Sequence, residues 1–397
     1  MHQHAIVIGA GLAGSATAYA LAQRGWSVTL IEQHGAAASG ASALPVGMLS
    51  PHHTQSPTPM SRLCALGLQA TQAQLQRLLP TQRGWQPIQV RNYKASISGE
   101  AITPHFEEAA HLVSPTALVH AWLNAYPDQV QLLCNKRVHH LQRCPNTKHW
   151  QAMDADGQPI AKAPVAVVCN AFAASELLHP RVALGLRAVA GQLTWGLAKT
   201  TPQAAPALRY KGVYAPSFLT HTGDTVWSMG ATYRRGESQP SALAQDQLAN
   251  RSGLATLAAV NGQAATALAQ FDEQHAAGVL RNWVGVRCAS TDRLPLCGAL
   301  PAAAGMAQLH HSTQLHEVAT EPGLYGLLAL GSRGLSLAAL LGDVLASQIT
   351  GQPQNAPEHL PADLLRAIDP RRAPLQVMRQ LRRQTHKAKA TQPAPAP

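Results

Sequence analysis

Residues 324–343 read Leu324-Tyr-Gly-Leu-Leu-Ala-Leu-Gly331-Ser-Arg333-Gly334-Leu-Ser-Leu-Ala-Ala-Leu-Leu-Gly342-Asp343. The order of apolar runs and glycines predicts a buried strand, a glycine turn that carries one arginine, and then an apolar helix. An arginine set between two apolar runs is costly to bury unless an anion neutralises it. The stretch therefore predicts an anionic group beside Arg333, at the end of a buried strand.

A second glycine turn lies near the other end of the chain, in His4-Ala-Ile-Val-Ile-Gly9-Ala-Gly11-Leu-Ala-Gly14. Here a strand runs into the turn that is typical of dinucleotide-binding proteins. Gly9 permits the tight turn, Gly11 lets the backbone approach a pyrophosphate, and Gly14 lets the following helix pack against the strand. Glu32 follows Gly14 by 18 residues, where a second strand ends and a carboxylate can accept from ribose hydroxyls. FAD and NAD share this fingerprint, so the turn alone does not choose between them.

The wide separation of the two turns predicts one nucleotide-binding domain built from both ends of the chain, with another unit folded between them. Alternation and turn signals over 186–235 are typical of antiparallel strands, and an amphipathic helix pair follows at about 241–277. We therefore assign 1–85, 151–185 and 281–365 to the nucleotide-binding domain, and 86–150 and 186–280 to a substrate domain. Residues 370–397 form a basic tail whose composition predicts disorder.

Local hydrophobic patterns predict the shorter elements. Strands are expected at 5–8, 28–32 and 164–169, and helices at 15–24, 63–79 and 115–124. The stretch 35–59 is rich in Gly, Ala, Ser and Pro, so we expect an extended loop there.

Composition limits the class of protein. The 397 residues include 46% hydrophobic and 13% charged side chains, which is typical of a folded globular protein of two domains. The 31 basic and 20 acidic residues leave a net charge of +11, which raises nucleic acid or another polyanion as a partner, although many basic proteins bind neither.

No apolar run reaches the roughly 18 residues that a membrane helix needs, and the first apolar segment lacks the basic leader of a signal peptide. The six cysteines are scattered, so we expect free thiols, no metal site and a cytoplasmic location.

A second arginine stands in a similar setting, in Val284-Gly-Val-Arg287-Cys288-Ala-Ser-Thr-Asp-Arg-Leu-Pro295-Leu-Cys-Gly298. The run opens as a strand and closes in a proline and glycine turn. Taken alone, Arg287 could pair with an internal carboxylate. Taken together, Arg287 and Arg333 could clamp a planar carboxylate with paired hydrogen bonds.

Five segments carry a resemblance to a known family. They are the N-terminal fingerprint, Gly191-Gln192 after a strand, Gly230-Ala-Thr-Tyr233-Arg-Arg-Gly-Glu237, Gly285-Val-Arg-Cys-Ala289 through Asp292-Arg-Leu-Pro295, and Ala329-Leu-Gly-Ser-Arg-Gly334. The chain resembles the D-amino-acid-oxidase-type flavoproteins. Within them it is most similar to the C-terminal FAD-dependent oxidoreductase module of the bifunctional tRNA 5-methylaminomethyl-2-thiouridine biosynthesis proteins.

The resemblance implies a fold, a cofactor and a reaction. The fold is an α/β plus α+β architecture, with a Rossmann-like FAD-binding domain of the D-amino-acid-oxidase/glutathione-reductase type and an inserted, mainly antiparallel β-sheet substrate domain. FAD would be bound by residues of the two turns, namely Gly9, Gly11, Gly14, Glu32, Gly331, Ser332, Arg333, Gly334 and Leu335. The reaction would oxidise the methylene beside the secondary amine of carboxymethylaminomethyl-(2-thio)uridine at the tRNA wobble position. Hydrolysis of the imine would give aminomethyluridine and glyoxylate, with oxygen as the expected electron acceptor.

The resemblance also implies the catalytic residues. Arg287 matches the carboxylate-binding arginine of glycine oxidases, and Arg333 would lie beside the flavin. Tyr233 could line the substrate pocket or be a core aromatic residue. A general base is not required, because an amine that arrives unprotonated can lose hydride directly.

Several features depart from the family pattern. The fingerprint begins at residue 4, so we expect no fused methyltransferase module upstream and a separate methyltransferase for the product. Asn170-Ala171 stands where relatives often carry Asn-Gly. Cys288 lies near the position at which monomeric sarcosine oxidases bind flavin covalently, whereas the resembling branch binds it noncovalently.

Two alternatives stay open for the function, and one for the tail. The chain could be a small-molecule glycine, sarcosine or D-amino-acid oxidase or dehydrogenase, or an RNA-binding scaffold without redox turnover. The tail cations could contact tRNA phosphates or could only be solvated. The candidates are Arg371, Arg372, Arg379, Arg382, Arg383, Lys387 and Lys389.

Overall fold

The computed structural model describes residues 3–81, 83–96, 101–179, 182–198, 205–310, 312–354 and 359–380. The strands are β1 (His4–Ile8), β2 (Ser27–Ile31), β3 (Gly47–Leu49), β4 (Trp85–Ala95), β5 (Ile102–Val113), β6 (Val130–Leu133), β7 (His140–Arg143), β8 (Trp150–Met153), β9 (Pro159–Ala163), β10 (Val165–Val168), β11 (Arg187–Leu197), β12 (Ala207–Arg209), β13 (Val213–Leu219), β14 (Thr225–Gly230), β15 (Arg234–Arg235), β16 (Arg281–Ala289), β17 (Leu296–Pro301) and β18 (Thr320–Leu328). The α-helices are α1 (Leu12–Ala22), α2 (Pro59–Leu78), α3 (Pro115–Asn124), α4 (Ala174–Leu177), α5 (Ala244–Ala258), α6 (Gly262–Ala276), α7 (Gly334–Thr350) and α8 (Ala362–Ile368). Residues 372–380 are also helical.

A six-stranded sheet unites the two ends of the chain. Its order is β17-β18-β10-β1-β2-β6, so that only β10 separates β1 from β18. The strands from β18 to β6 pair in parallel, and β17 is antiparallel at one edge. Strands β1 and β10 are continuous apolar runs because both faces of the sheet are buried, one against α1 and α7 and the other against α4 and the strands β7, β8 and β9.

Helices α1 and α7 pack closely beside this sheet. A side chain at Gly342 would lie 2.8 Å from the backbone carbon of Ala16, so glycine lets the two helices approach. Arg24 donates from Nη2 to Oδ1 of Asp343 at 2.7 Å, and both side chains are buried. Such a pair is costly to break because the remaining charge would be left unpaired in the interior. The two chain ends are thus bonded at the helices as well as in the sheet.

A nine-stranded, mostly antiparallel sheet forms the second layer. Its order is β15-β11-β14-β13-β12-β4-β5-β3, and β16 pairs with the other side of β11. Helices α5 and α6 pack against β11 and β14: Asn250 of α5 donates from Nδ2 to the carbonyl of Gln192 at 3.2 Å, and Gln274 of α6 accepts from the indole of Trp227 at 3.2 Å. A small third sheet has the order β7-β8-β9.

Sheet membership differs from the sequence-based division at three places. Residues 130–133, assigned to the substrate domain, pair with β2 in the six-stranded sheet. Residues 281–289, assigned to the nucleotide-binding domain, pair over their whole length with residues 187–195 of β11 in the nine-stranded sheet. The boundary at residue 150 falls inside the small third sheet, where β7 pairs with β8. Apolar periodicity identifies a strand but not the strand beside it. The sequence therefore did not show which sheet each of these strands joins.

The first part of the predicted disordered tail is ordered. Residues 372–380 form a helix, Ala373 is buried, and Arg372 pairs with Asp292 at 3.0 Å. Gln376 donates to Oδ2 of Asp292 at 2.6 Å. Burial alone would raise the pKa of Asp292, but Arg372 and the hydrogen bonds from Gln376 and Ser290 lower it to about 2. The rest of the predicted tail, 381–397, lies outside the described residues.

Most predicted elements are present, with shifted ends. Helix α3 matches its predicted range, whereas α2 begins at Pro59 because Thr58 and Ser61 form a capping box there. The predicted loop at 35–59 contains β3, which pairs with β5. In the part of the chain that is described, no helix is long and apolar enough to cross a membrane.

Candidate active site

One cavity of about 1030 Å³ runs along the carboxyl ends of the parallel strands. Residues at the ends of β1, β2, β10 and β18 line it, and so do residues 283–288 of β16. The loop residues Ser238, Gln239 and Pro240 line the same cavity. Ligands of open α/β sheets bind at this edge, where helix N-termini also point. The cavity therefore joins the two sheets and is the candidate active site.

The first glycine turn forms one end of the cavity. Gly9 has a φ of +98°, and a side chain there would lie 2.8 Å from the Cα of Asn170. A side chain at Gly14 would overlap the carbonyl oxygen of Gly9, so the close packing of helix on strand requires glycine. Gly9 and Gly11 line the cavity, whereas Gly14 lies behind them. Gly9 thus makes the tight turn and Gly14 permits the close packing, while the contact of Gly11 with a pyrophosphate stays a prediction.

Glu32 lies beside this turn and is buried. Its Oε2 accepts from the backbone N–H of Ala10 at 2.9 Å, and its Oε1 accepts from the backbone N–H of His34 at 3.0 Å. The Nδ1 of His34 also lies 2.7 Å from Oε1. A carboxylate has about four acceptor sites, so Glu32 keeps capacity for a ribose hydroxyl in the cavity that it lines.

The second glycine turn lies beside the first. Gly331, Ser332, Gly334 and Leu335 line the cavity, and the N–H of Gly331 donates to the carbonyl of Cys288 at 2.8 Å. Helix α7 starts here, so its N-terminal N–H groups lie next to those of α1. A side chain at Gly334 would lie 2.9 Å from Leu12 of α1. Two helix N-termini at one cavity favour an anionic ligand such as a pyrophosphate.

Asn170 and Ala171 follow β10 at the same edge. The Oδ1 of Asn170 is buried and, among the described residues, has no hydrogen-bond partner. Ala171 has a φ of +53°, in the left-handed region that favours glycine. A glycine would adopt this conformation without strain at this position. Asn170 lines the cavity, so its free acceptor points to a ligand that carries donors.

Arg287 lines the other end of the cavity, on β16. Its guanidinium lies over Gly191 of β11, where any side chain would overlap it. Its Nη1 donates to the carbonyl of Thr232 at 3.2 Å, and no described carboxylate forms an ion pair with it. Burial lowers the pKa of Arg287 from its ordinary value, and neighbouring Tyr233 opposes that shift. The expected internal carboxylate is therefore not among the described residues.

Tyr233 is not a core residue, because 61% of its surface is exposed. Its ring lies 4.5 Å from the Cζ of Arg287. Tyr233 does not line the cavity itself but covers a residue that does. The core role expected for this tyrosine is therefore wrong, and the pocket-lining role is not met either, because Tyr233 contacts a lining residue without lining the cavity.

Arg333 does not line the cavity. Its Nη2 lies 3.2 Å and 3.3 Å from the two ring nitrogens of His52. Burial lowers the pKa of His52, and the charge of Arg333 lowers it further, so the neutral ring accepts from the arginine. The structure thus does not bring Arg333 and Arg287 together at the cavity surface, and the predicted clamp is reduced to Arg287.

Trp283 is a site residue that the sequence reasoning missed. It is 9% exposed and lines the cavity, and its Nε1 has no partner among the described residues. The indole lies over Gly285, where a side chain would overlap it. The signal was available in the period of two along β16, which places Arg281, Trp283, Gly285 and Arg287 on one face.

Cys288 also lines the cavity, but its thiol is buried. Burial raises the pKa of Cys288 to about 12. The thiolate is the nucleophilic form, so a covalent bond to a cofactor is disfavoured here.

These residues fit a flavin dinucleotide. Two glycine turns with helix N-termini suit the pyrophosphate, and Glu32 suits a ribose. The unpartnered acceptor of Asn170 and the unpartnered donor of Trp283 both line the cavity and suit a ligand with polar edges. The cavity volume lies at the upper end of the range for ligand sites, as an extended cofactor with a substrate requires.

Comparisons with known proteins agree with this geometry. The FAD dependent oxidoreductase family matches residues 4–348. The glycine oxidase of Geobacillus kaustophilus superposes with a TM-score of 0.65 at 15% identity, covering 90% of this chain and 100% of that one. The iminodiacetate oxidase IdaA of Chelativorans sp. BNC1 superposes with a TM-score of 0.62 at 20% identity, covering 89% of this chain and 97% of that one. These likenesses confirm the predicted fold class.

Two curated relatives carry the same name. The tRNA 5-methylaminomethyl-2-thiouridine biosynthesis bifunctional protein MnmC of Polaromonas naphthalenivorans (strain CJ2) is 33% identical over 404 residues, covering 91% of this chain and 58% of that protein. The protein of the same name from Ralstonia nicotianae (strain ATCC BAA-1114 / GMI1000) is 33% identical over 437 residues, covering 97% of this chain and 62% of that protein. This chain thus spans about three fifths of the length of these relatives. It belongs to the FAD-dependent oxidoreductase family, and FAD is its cofactor.

Proposed function

We propose that this protein oxidatively removes the carboxymethyl group from carboxymethylaminomethyl-(2-thio)uridine at the tRNA wobble position. The products are aminomethyluridine and glyoxylate. One observation carries the proposal: Arg287 places a cation in the cavity wall, and no described carboxylate neutralises it. The similarity to the bifunctional tRNA-modifying proteins supports the same substrate.

Arg287 selects the acidic end of the substrate. A guanidinium offers paired N–H groups that match a carboxylate, and partial burial strengthens the attraction. Gly191 and Gly285 leave room for Arg287 and Trp283 to lie flat on the sheet. The free indole N–H of Trp283 is a second donor in the same wall. The wall therefore holds a carboxymethyl group in one orientation.

The two glycine turns hold the cofactor. Gly9, Gly11 and the N-termini of α1 and α7 face the pyrophosphate, Glu32 accepts from a ribose, and Gly14 keeps α1 against β1. Gly331, Ser332, Gly334 and Leu335 form the neighbouring part of the wall, and Arg333 fixes that turn through His52. When bound, FAD supplies the acceptor for two electrons as the amine becomes an imine.

The residues around the reacting carbon orient the substrate and do not take its proton. The positive charge of Arg287 disfavours a second cation nearby, so the substrate nitrogen reacts as the neutral amine. Water then hydrolyses the imine, which releases glyoxylate and leaves the primary amine on the uridine.

The partners follow from the substrate. A net charge of +11 attracts tRNA phosphates, and a cytoplasmic location suits a tRNA enzyme. Of the tail cations in the described residues, Arg371 and Arg372 pair with Asp369 and Asp292, whereas Arg379 is exposed and available for phosphate contact. The primary amine is the substrate of a methyltransferase, and oxygen is the electron acceptor.

Anaerobic reduction of the holoprotein tests this proposal. Carboxymethylaminomethyl-tRNA should bleach the flavin absorbance, whereas glycine, sarcosine and D-alanine should not. Bleaching by a free amino acid alone would instead assign the protein to the small-molecule amine oxidases. RNA binding by a protein that takes up no flavin would assign it to non-redox scaffolds. Nucleoside analysis of tRNA from a deletion strain should show accumulation of the carboxymethylaminomethyl form.

A further inference from the structure

Tyr233 combines high exposure with a fixed position. It is 61% exposed, yet its ring lies 4.5 Å from the Cζ of Arg287, the arginine of the cavity wall. One face of the ring thus covers Arg287, and much of the remainder meets solvent. Core packing does not account for this ring, and its contact with Arg287 places its exposed side where a ligand of the cavity can meet it.

The backbone on both sides of Tyr233 is held in place. The N–H of Thr232 donates to the carbonyl of Gln192 at 3.0 Å, and the N–H of Gln192 donates to Oγ1 of Thr232 at 3.0 Å. On the other side, Arg234 forms ion pairs with Glu237 and Asp246. The ring is therefore presented by an ordered segment at the edge of the cavity. A preorganised ring loses little conformational entropy when a ligand covers it.

The surroundings of the ring carry positive charge. Val189 of β11 pairs with Arg235 on one side and with Arg287 on the other, so the two arginines lie in one row across the sheet and on the same face. Arg235 is exposed, and no carboxylate in the described part of the chain forms an ion pair with it. An aromatic face beside cations of this kind suits an anionic ligand with a planar ring.

A nucleobase in an RNA loop has this chemistry. Proteins read single-stranded RNA by stacking unpaired bases on aromatic side chains, while arginines neutralise the neighbouring phosphates. Glycine, sarcosine and D-alanine offer no planar ring that could stack on the tyrosine. The exposed side of Tyr233 thus matches a splayed-out base better than it matches a small amine.

Resting on the proposed function, we propose that Tyr233 is the stacking platform for the wobble uracil. The base lies against the solvent-facing side of the ring, and its side arm passes the ring edge to reach Arg287. Tyr233 thereby determines specificity for a nucleoside-borne amine, while the cavity wall recognises the carboxylate. Arg235 lies where it can contact a phosphate beside the stacked base.

Binding of two anticodon stem-loops to the oxidised holoprotein tests the inference. One stem-loop carries unmodified uridine at the wobble position, and the other carries an abasic site there. Tyr233→Ala should weaken binding of the uridine form about tenfold or more. The same substitution should leave binding of the abasic form nearly unchanged. Tyr233→Phe and Tyr233→Trp keep an aromatic face and should retain the affinity.

The control variant is Phe106→Ala, which removes an aromatic side chain that is 38% exposed on β5. It should not change binding of either stem-loop. Equal losses for the uridine and abasic forms, or no loss for either, would overturn the stacking role and leave the proposed function standing. If the unsubstituted protein binds neither stem-loop and modified tRNA does not bleach the flavin, the proposed function fails and this inference fails with it.

Discussion

The two ends of the cavity are built in different ways. At the end formed by β1, α1, β18 and α7, backbone groups face the ligand, and glycines at positions 9, 11, 331 and 334 keep side chains out of the way. At the end formed by β16, side chains face the ligand instead. Trp283 and Arg287 lie flat there over glycines of the same sheet. The first end suits a constant cofactor, whereas the second suits a particular substrate. Substitutions at the first end should therefore weaken cofactor binding, whereas substitutions at the second end should weaken substrate recognition.

Arg287→Ala should give the largest effect and should separate substrate recognition from cofactor binding. Removing one partner of a buried charge pair costs about 2–5 kcal/mol. The second-order rate constant for flavin reduction by modified tRNA should therefore fall at least ~30-fold and up to about 10³-fold. Flavin content should stay the same. Stopped-flow reduction under anaerobic conditions measures the rate constant. The ratio of flavin absorbance to protein absorbance measures the flavin content.

Arg281→Ala is the matched control for that experiment. Arg281 lies on the same strand and the same face, but it is exposed outside the cavity, against Trp195. Its loss should change the rate constant far less. Equal effects of the two substitutions would show that general positive charge matters and that the cavity arginine has no special role.

Gly14→Ala should affect the cofactor end instead. The added methyl group would overlap the carbonyl of Gly9, so α1 must move away from β1. Overpacking of this kind costs about 1–3 kcal/mol in the free energy of unfolding, and flavin should dissociate more readily. Urea denaturation and flavin titration measure the two effects. Gly262→Ala, at an open position in α6, should leave both quantities nearly unchanged. Full flavin affinity in Gly14→Ala would contradict the assigned packing role.

Asp292→Asn should have a smaller effect, which depends on pH. The folded-state pKa of Asp292 is about 2, below the ordinary carboxyl value of 3.8, because Arg372 and Gln376 bind the ionised form. The ionised form therefore stabilises the fold above the unfolded-state pKa, and this stability is lost as pH falls from about 5 towards 2. At pH 7 the variant should be less stable by roughly 2 kcal/mol.

The comparison of Asp292→Asn with the unsubstituted protein should be made by urea denaturation at pH 7 and at pH 3. The difference in the free energy of unfolding should shrink at the lower pH. A difference that is the same at both pH values would show that the carboxylate charge is not responsible.

Cys288→Ser should have the smallest effect. Because burial raises the pKa of this thiol to about 12, the thiolate is scarce and should not bind flavin covalently. Acid precipitation should release all of the flavin from both the unsubstituted protein and the variant. If the precipitate of the unsubstituted protein stayed yellow and that of the variant did not, this expectation would be contradicted.

The contrast between the two ends also explains what could be predicted from the sequence. Gly9, Gly14 and Glu32 form a local pattern within one β-α-β segment, so their roles follow from spacing. The positions of Trp283 and Tyr233 relative to Arg287 depend on the register of β16 against β11, two strands that lie far apart in the chain. A period of two places residues on a face, but only the paired structure shows which neighbour they meet.

The same limit applies to Arg333 and to the tail. The glycine turn around Arg333 is visible in the sequence, but its contact with His52 depends on a loop from the other end of the chain. The order of residues 372–380 depends on Asp292, whose carboxylate accepts from two side chains of that helix. Composition alone predicts disorder for these residues, because it contains no information about a specific contact such as the one with Asp292.

The position of β18 beside β10 has a consequence for biosynthesis. The second wall of the cofactor site emerges from the ribosome more than 300 residues after the first. About 150 residues separate β10 from β18, so at ~5–20 residues per second β10 exposes an unpaired edge for roughly 8–30 seconds. Flavin therefore has no complete binding site on the nascent chain until β18 and α7 have been synthesised. Shielding of that edge by chaperones during synthesis should influence the yield of yellow protein.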